Sequence, residues 1–216
     1  MEHRKICFLL AVGIIIFDLI VSPILAQGRD WFVFSQLRYE GGDWDPYPNA
    51  YKEILHYLTT TTSVKAEVGR KELSLNDPEL FSSPFLYMTG QEEFSPFASQ
   101  EIENLKRYLS GGGLLVIDDA SGGKNLDFDK AVHREMERVF PDTGLKRLPP
   151  DHAVFRSFYL SPGVMGRTVG SVYLEGIDID GETVVIYSHN DLGGAWVRDK
   201  LGNWIYECVP GGEIQR

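Results

Sequence analysis

The chain has 216 residues, which is enough for one domain with a sizeable buried core. Its composition is typical of a globular protein, with 43% hydrophobic and 24% charged residues. The net charge of −10 argues against nucleic acid and anionic lipid headgroups as partners, because both attract basic surfaces.

The first predicted element is an apolar N-terminal leader. Residues 1–5 are basic, and the apolar run that follows is interrupted by Asp18 and Pro23 and ends on a small residue. This pattern favours a signal peptide over a permanent membrane anchor for residues 1–26. In either case we expect residues 27–216 to form a single α/β domain in the periplasm or another extracytoplasmic space. Membrane contact is expected only through an uncleaved leader.

Strands and helices are predicted to alternate after the leader. Runs rich in β-branched and aromatic residues predict strands, and apolar residues spaced three to four apart predict helices. The predicted strands lie at residues 31–37, 64–68, 84–89 and 114–117, and the predicted helices at 49–60, 99–110 and 128–140. Ser99 is the predicted cap of the second helix. The strand at 114–117 is apolar on both faces, which indicates a central strand covered by helices on both sides.

The last third of the chain predicts a β-hairpin. Residues 172–177 and 183–187 flank the step Asp180-Gly181, and Asp-Gly is a common hairpin turn. Together the elements predict an α/β fold: a three-layer sandwich with a mainly parallel central sheet and an antiparallel hairpin near the C-terminal edge.

Polar residues follow four of the predicted strands. Ligands of open parallel sheets bind outside the carboxyl ends of the strands, so these residues are expected to meet at one polar pocket. The predicted ligand-binding residues are Arg38, Tyr39, Asp43, Trp44, Thr89, Gly90, Asp118, Asp119, Asn190 and Asp191. A structural role in loops stays open for each of them, because Asp and Gly are common loop formers.

The chemistry of this edge is not decided by one motif. Ser121 is displaced from the strand end and lacks a G-x-S-x-G setting, which disfavours a nucleophile elbow. Asp118, Asp119 and His152 are candidate catalytic residues for general acid/base hydrolysis. A divalent metal on oxygen ligands is an alternative, drawn from Asp43, Asp118, Asp119, Asp191 and His152. Because no pair has diagnostic ligand spacing, no metal ligands are assigned and no cofactor is predicted.

The remaining histidines are interpreted as structural or solvated. His56 and His133 lie on predicted helices among charged neighbours, where a solvated imidazole is expected. His152 follows two prolines in a rigid loop, where a hydrogen-bonded structural role competes with a catalytic one.

Six ordered segments carry a resemblance to a known family. They are residues 37–44, 84–90, 111–119, 150–152, 174–177 and 188–193. Over about residues 31–207 the chain resembles the bacterial domain-of-unknown-function 4159 family. The resemblance implies a class I glutamine amidotransferase-like or flavodoxin-like scaffold and no established activity.

Two departures limit what the resemblance implies. Asp118-Asp119 stand near the position of the nucleophilic cysteine of amidotransferases, which argues against that activity. Family members continue with a further helix and strand, whereas residues 212–216 resemble only the start of that helix. We therefore expect the last layer to be missing, which would leave a sheet edge uncovered.

These observations favour a non-catalytic binding or assembly module of the cell envelope. Its partner would be a small polar ligand or an envelope protein, held at the strand-end pocket. The alternative is a hydrolase acting on a sugar or other polar substrate through the paired aspartates and His152, with or without a metal. A third interpretation assigns the strand-end residues to loop stabilisation only.

Overall fold

A seven-stranded sheet forms the centre of a computed structural model that describes residues 31–157, 160–161 and 163–206. The strands in this part of the chain are β1 (Phe32–Leu37), β2 (Ala66–Leu73), β3 (Phe85–Gly90), β4 (Leu114–Asp119), β5 (Lys146–Arg147), β6 (Glu175–Ile179) and β7 (Glu182–Ser188). Their spatial order is β2-β1-β3-β4-β7-β6-β5. The predicted leader lies outside the described residues.

The sheet is mainly parallel, as predicted. Strands β2, β1, β3, β4 and β7 run in one direction, and β6 pairs antiparallel with both β7 and β5. Asp180 and Gly181 connect β6 to β7 with φ angles of 52° and 88°. Positive φ at both central residues is what a two-residue type I′ hairpin requires, and Asp-Gly suits it. The α/β class and the hairpin at the sheet edge are therefore confirmed.

Three α-helices of the described residues cover the sheet: α1 (Ala50–Thr61), α2 (Ser99–Ser110) and α3 (Asp127–Val139). Helix α1 lies on one face, where Leu55 packs with Phe34 and Tyr87. Helices α2 and α3 lie on the other face, where Leu105 and Phe128 join the larger core. A sheet with helices on both faces explains why its central strands are apolar throughout.

No helix in the described ranges combines the length and the hydropathy that a membrane crossing needs. This finding does not apply to the predicted leader, which lies outside the described residues.

Three predicted boundaries are corrected by the structure. Strand β2 runs from Ala66 to Leu73 because it pairs along all of β1, further than its apolar residues indicate. Ser99 is the first residue of α2, while the Ala98 amide before it donates to the Glu101 carboxylate at 2.8 Å. Strand β4 continues through Asp118 and Asp119, since both pair with the end of β3.

Candidate functional site

The two aspartates at the end of β4 point to opposite faces of the sheet. We call the edge at which β1, β3, β4 and β7 end the carboxyl edge. Alternate residues of a strand face opposite sides, and Ile117 packs with Phe128 of α3. Asp119 therefore faces the α3 side of the carboxyl edge, and Asp118 faces the α1 side. Both side chains are buried.

Asp118 is enclosed by hydrogen-bond donors. Its carboxylate accepts the Tyr87 hydroxyl at 2.7 Å and the backbone N–H groups of Leu192 and Gly193 at 2.7 and 2.8 Å. Burial, and to a lesser extent the charge of Asp191, raises the pKa of Asp118 to about 7. A carboxylate whose two oxygens both accept internal donors is not free to hold a ligand.

Asp191 is held in the same closed way. Its carboxylate forms an ion pair with Arg167 and accepts the Tyr47 hydroxyl at 3.0 Å and the Gly194 amide at 2.9 Å. Its φ of 55° is a left-handed conformation that non-glycine residues seldom adopt. Burial raises the pKa of Asp191, and the contact with Arg167 opposes that shift. The loop after β7 is thus fastened over the α1 side by Asp118 and Asp191.

The buried predicted site residues Asn190 and Thr89 also form hydrogen bonds that stabilise the carboxyl edge. The Asn190 side chain exchanges hydrogen bonds with the Ser171 backbone at 2.7 and 2.9 Å. Thr89 donates its hydroxyl to the Asp118 carbonyl at 2.9 Å, and its own carbonyl accepts the Tyr39 hydroxyl at 2.7 Å. A Cβ at position 90 would lie 2.1 Å from that Tyr39 oxygen, which explains the glycine there.

The residues that follow β1 lie further out. Asp43 accepts the backbone amides of Gln91 and Glu92 at 2.7 and 3.0 Å, which ties the loop after β1 to the loop after β3. The Trp44 ring lies 5.5 Å from the Arg70 guanidinium. The Arg38 side chain is exposed to solvent. The carboxyl edge thus gathers the predicted residues, but most of their polar atoms stabilise loops.

His152 lies at the other end of the strands from the carboxyl edge. Its Nε2 atom is 2.9 Å from the Thr183 hydroxyl, and its Nδ1 atom accepts the Val154 amide at 3.2 Å. Thr183 is the second residue of β7, five residues before the strand end at Ser188, which is about 16 Å along the strand. The predicted grouping of His152 with Asp118 and Asp119, whether for hydrolysis or for a metal, is therefore wrong.

A cluster of charged side chains on the α3 side was missed from sequence. We call it the α3-side cluster; it consists of Asp129 and His133 on α3, Glu175 at the start of β6, and His189 after β7. His133 lies 3.3 Å from Asp129 Oδ1 and 3.5 Å from Glu175 Oε2. His189 lies 3.5 and 2.9 Å from the same two oxygens. Both imidazoles therefore contact both carboxylates.

Three members of the α3-side cluster, Asp129, His133 and Glu175, are charged at neutral pH. Hydrogen bonds that His133 donates to Asp129, and then to Glu175, raise the pKa of His133 to about 10. The two imidazoles in turn lower the pKa of Glu175 to about 2. Tyr187 adds a hydrogen bond from its hydroxyl to Asp129 Oδ1 at 3.1 Å. The side chains of the cluster keep between 14% and 36% of their surface exposed, so the group is open to solvent.

Asp119 lies beside this cluster and is only half satisfied. Its Oδ1 atom accepts the Ser121 amide at 2.8 Å, but its buried Oδ2 atom has no hydrogen-bond partner in the described residues. Ile117 pairs with Tyr187 and Asp118 with Ser188, so the next residues of the two segments, Asp119 and His189, face the same side of the sheet. Burial raises the pKa of Asp119. An unpartnered buried carboxylate oxygen costs about 1–3 kcal/mol or more, which points to a role beyond packing.

Two sequence signals for the α3-side cluster were available. Asp129 and His133 are four residues apart on a predicted helix, and such residues lie next to each other on its surface. The interpretation of His133 as solvated is wrong, because it is half-buried between two carboxylates. The predicted hairpin also places Glu175 on the strand next to the one that leads to His189. A register shift between Ile177 and Asp178, which the sequence pattern does not predict, is needed to bring Glu175 opposite Tyr187 and onto the same face as His189.

The comparison with known families agrees with the motifs. The family model described as a domain of unknown function (DUF4159) matches residues 33–215. The chain belongs to this family. The suspected family is thereby confirmed, and the match spans the sheet and the helices of the DUF4159 domain. No curated protein matches the sequence. Because the family's function is unknown, the function of this DUF4159 domain has to be inferred from its own side chains.

Proposed function

We propose that this DUF4159 domain is a non-catalytic binding or assembly module of the cell envelope, with its ligand site on the α3 side of the carboxyl edge. The observation that carries this proposal is the unpartnered Oδ2 atom of Asp119 beside the partly exposed imidazole of His189. Polar groups that are buried without a partner are rare in folded proteins, and an absent ligand is one explanation for them.

The closed α1 side supports binding on the other side. Asp118 and Asp191 are predicted site residues, yet both carboxylates accept several donors of the chain itself. Their arrangement is that of a scaffold, which fixes the loop after β7 and thereby the position of His189. The α3 side is the part of the carboxyl edge where polar atoms remain available to a small polar ligand or to a protein partner.

The end of β4 supports a role without covalent acyl transfer. This strand position is occupied by Asp118 and Asp119, neither of which is the nucleophile of an acyl-transfer enzyme. Ser121 donates its hydroxyl to the Asn125 carbonyl at 3.0 Å, within its own loop. Because His152 lies at the other end of the strands, it cannot act together with Asp118 and Asp119 as the hydrolase hypothesis requires.

The envelope location is supported by the sequence pattern of residues 1–26. A basic start followed by an apolar run is typical of secretory leaders. Fractionation of cells that make the full chain tests this part of the proposal. We expect the chain in the periplasm or at the membrane, and recovery from the cytoplasm alone would contradict the envelope assignment.

A ligand screen tests the site. Thermal-shift measurements across sugars, nucleotides and amino acids should find a saturable ligand for the full chain. We expect Asp119→Asn to abolish the shift and Asp43→Ala, whose carboxylate only ties two loops, to keep it. A ligand whose shift survives Asp119→Asn would contradict the α3-side assignment. Chemical turnover of the ligand would contradict the non-catalytic role.

A further inference from the structure

We propose that the α3-side cluster is a binding site for one divalent transition-metal ion of the zinc type. This inference rests on the proposed binding role of the same side of the carboxyl edge and names its ligand. It concerns residues other than the oxygen-rich set predicted from sequence.

The donor atoms suit such an ion. The cluster offers two imidazoles and two carboxylates, a mixture that binds Zn²⁺ and its neighbours in the first transition row. Mg²⁺ and Ca²⁺ prefer oxygen ligands alone. The two histidines therefore decide the class of metal.

The spacing of the donors also suits the ion. One donor atom from each of Asp129, His133 and Glu175 lies within 4.8 Å of the others. The contacts of the two imidazoles with the two carboxylates span 2.9–3.5 Å. Ligand atoms of a tetrahedral zinc site are about 3.3–3.4 Å apart, as follows from metal–ligand distances of about 2.0–2.1 Å. The Nε2 atoms of His133 and His189 lie 3.5 and 2.9 Å from Glu175 Oε2, so these three atoms have the spacing of ligands of one ion, while Asp129 faces the two Nδ1 atoms.

The histidine orientations are fixed by neighbouring groups. The Nδ1 atom of His133 lies 3.0 Å from the backbone carbonyl oxygen of Asp129, so it can donate there and leave Nε2 for a metal. Metal-binding histidines commonly donate their second nitrogen to a carbonyl or carboxylate in this way. Tyr187 holds Asp129 by a hydrogen bond at 3.1 Å. His133 comes from α3, Glu175 from β6 and His189 from the loop after β7, so the fold holds these three ligands in place before an ion binds.

Asp119 provides an independent observation. Its buried Oδ2 atom has no partner in the described residues, and the pairing of Asp118 with Ser188 puts Asp119 on the same side of the sheet as His189. A metal ion held by His189 would give this carboxylate a nearby positive charge. The proposal thus accounts for a buried polar atom that the fold alone leaves unsatisfied.

Metal titration of the full chain is the test. After treatment with a chelator, calorimetry should show one Zn²⁺ per chain, with no comparable binding of Mg²⁺. Zinc in excess should raise the melting temperature by roughly 5–10 °C. The double variant His133→Ala with His189→Ala should lose at least about 100-fold in affinity, because even residues that only orient metal ligands contribute 10–100-fold. His56→Ala, an exposed histidine on α1, is the control and should bind zinc normally.

The other outcomes separate this inference from the proposed function. If the double variant fails to fold, Glu175→Gln replaces it, since it keeps the shape of the side chain while removing its charge. Unchanged zinc binding in the variant that folds would overturn the site. A thiolate absorption band in the Co²⁺-bound chain would also overturn it, because such a band requires a cysteine ligand. If the chain binds no zinc but an organic ligand still depends on Asp119, the metal inference fails and the proposed function stands. If neither binds, both fail.

Discussion

The two sides of the carboxyl edge differ in how far the chain satisfies its own polar groups. On the α1 side, Asp118 accepts three hydrogen bonds and Asp191 is paired with Arg167. On the α3 side, Asp119 keeps an unpartnered oxygen beside His189. Adjacent residues of one strand thus lie in opposite environments, because alternate side chains face opposite layers. Polarity at a strand end therefore does not by itself identify a binding residue.

The largest loss of stability is expected when the ion pair between Arg167 and Asp191 on the α1 side is removed. Arg167→Ala would leave the buried carboxylate of Asp191 without its cation, at a cost of about 3 kcal/mol in unfolding free energy. In a calorimetric scan the melting temperature should fall by roughly 6–12 °C. Lys71→Ala removes an ion pair with Glu79 in which both side chains are exposed, and this control should cost at most about 1 kcal/mol. Equal losses from the two variants would show that the α1 side is not closed.

A smaller loss of stability is expected for Asp118→Asn. An asparagine offers one acceptor oxygen, so its amide nitrogen would face the N–H of either Leu192 or Gly193. Leaving such a donor unpaired costs about 2 kcal/mol, or roughly 4–8 °C in melting temperature. Denaturant unfolding of the wild type and the variant measures this difference. A variant as stable as the wild type would argue that the enclosure of Asp118 contributes little.

The pH dependence of stability should also depend on Asp118. Its pKa of about 7 in the folded state lies above the ordinary value of 3.8, so between these values the folded chain holds a proton that the unfolded chain has lost. The stabilisation from this group is present below pH 3.8 and is lost as the pH rises through about 7. The slope is at most about 1.4 kcal/mol per pH unit. Urea unfolding at several pH values should show stability falling more steeply with rising pH in the wild type than in Asp118→Asn, and identical slopes would contradict the assignment.

The smallest effect on stability is expected on the α3 side. Asp119→Asn keeps the acceptor for the Ser121 amide and exchanges an unpartnered oxygen for an uncharged amide group. We expect the unfolding free energy of the metal-free chain to change by less than about 1 kcal/mol, because one unpartnered buried polar atom replaces another. Thermal unfolding in the presence of a chelator tests this expectation. A loss as large as that of Asp118→Asn would mean that Asp119 is as firmly built into the fold as its neighbour.

Most of the fold could be predicted from the local sequence pattern. The error at the end of β4 arose because that pattern does not show which distant segments contact the strand. Apolar runs and helical spacing identified the strands of the sheet and the helices that cover it. Strand β4 was predicted to end at Ile117 because aspartate is typical of loops. Asp118 and Asp119 remain in the strand since β3 and β7 continue to pair with that segment and the loop after β7 covers Asp118. That loop lies more than 70 residues further along the chain, so no local pattern predicts it.

For the candidate site, the sequence predicted a location at the carboxyl edge but not the role of each residue. The rule for parallel sheets predicted that these residues gather at the carboxyl edge, but their roles depend on which donors the folded chain brings to them. Asp118 and Asp119 are equivalent in sequence and differ in the structure by their partners. His133 was read as solvated because a helical histidine beside acidic residues looks the same whether it is exposed or held by Glu175 from another strand.

The position of a bound metal in a crystal tests the comparison of the two sides most directly. Crystals of the full chain grown with Zn²⁺ would be measured for anomalous scattering at the zinc absorption edge. The account predicts one strong peak between His133, Glu175 and His189, within reach of Asp119. A peak beside Asp118 and Asp191, or none on the α3 side in crystals that hold zinc, would contradict it.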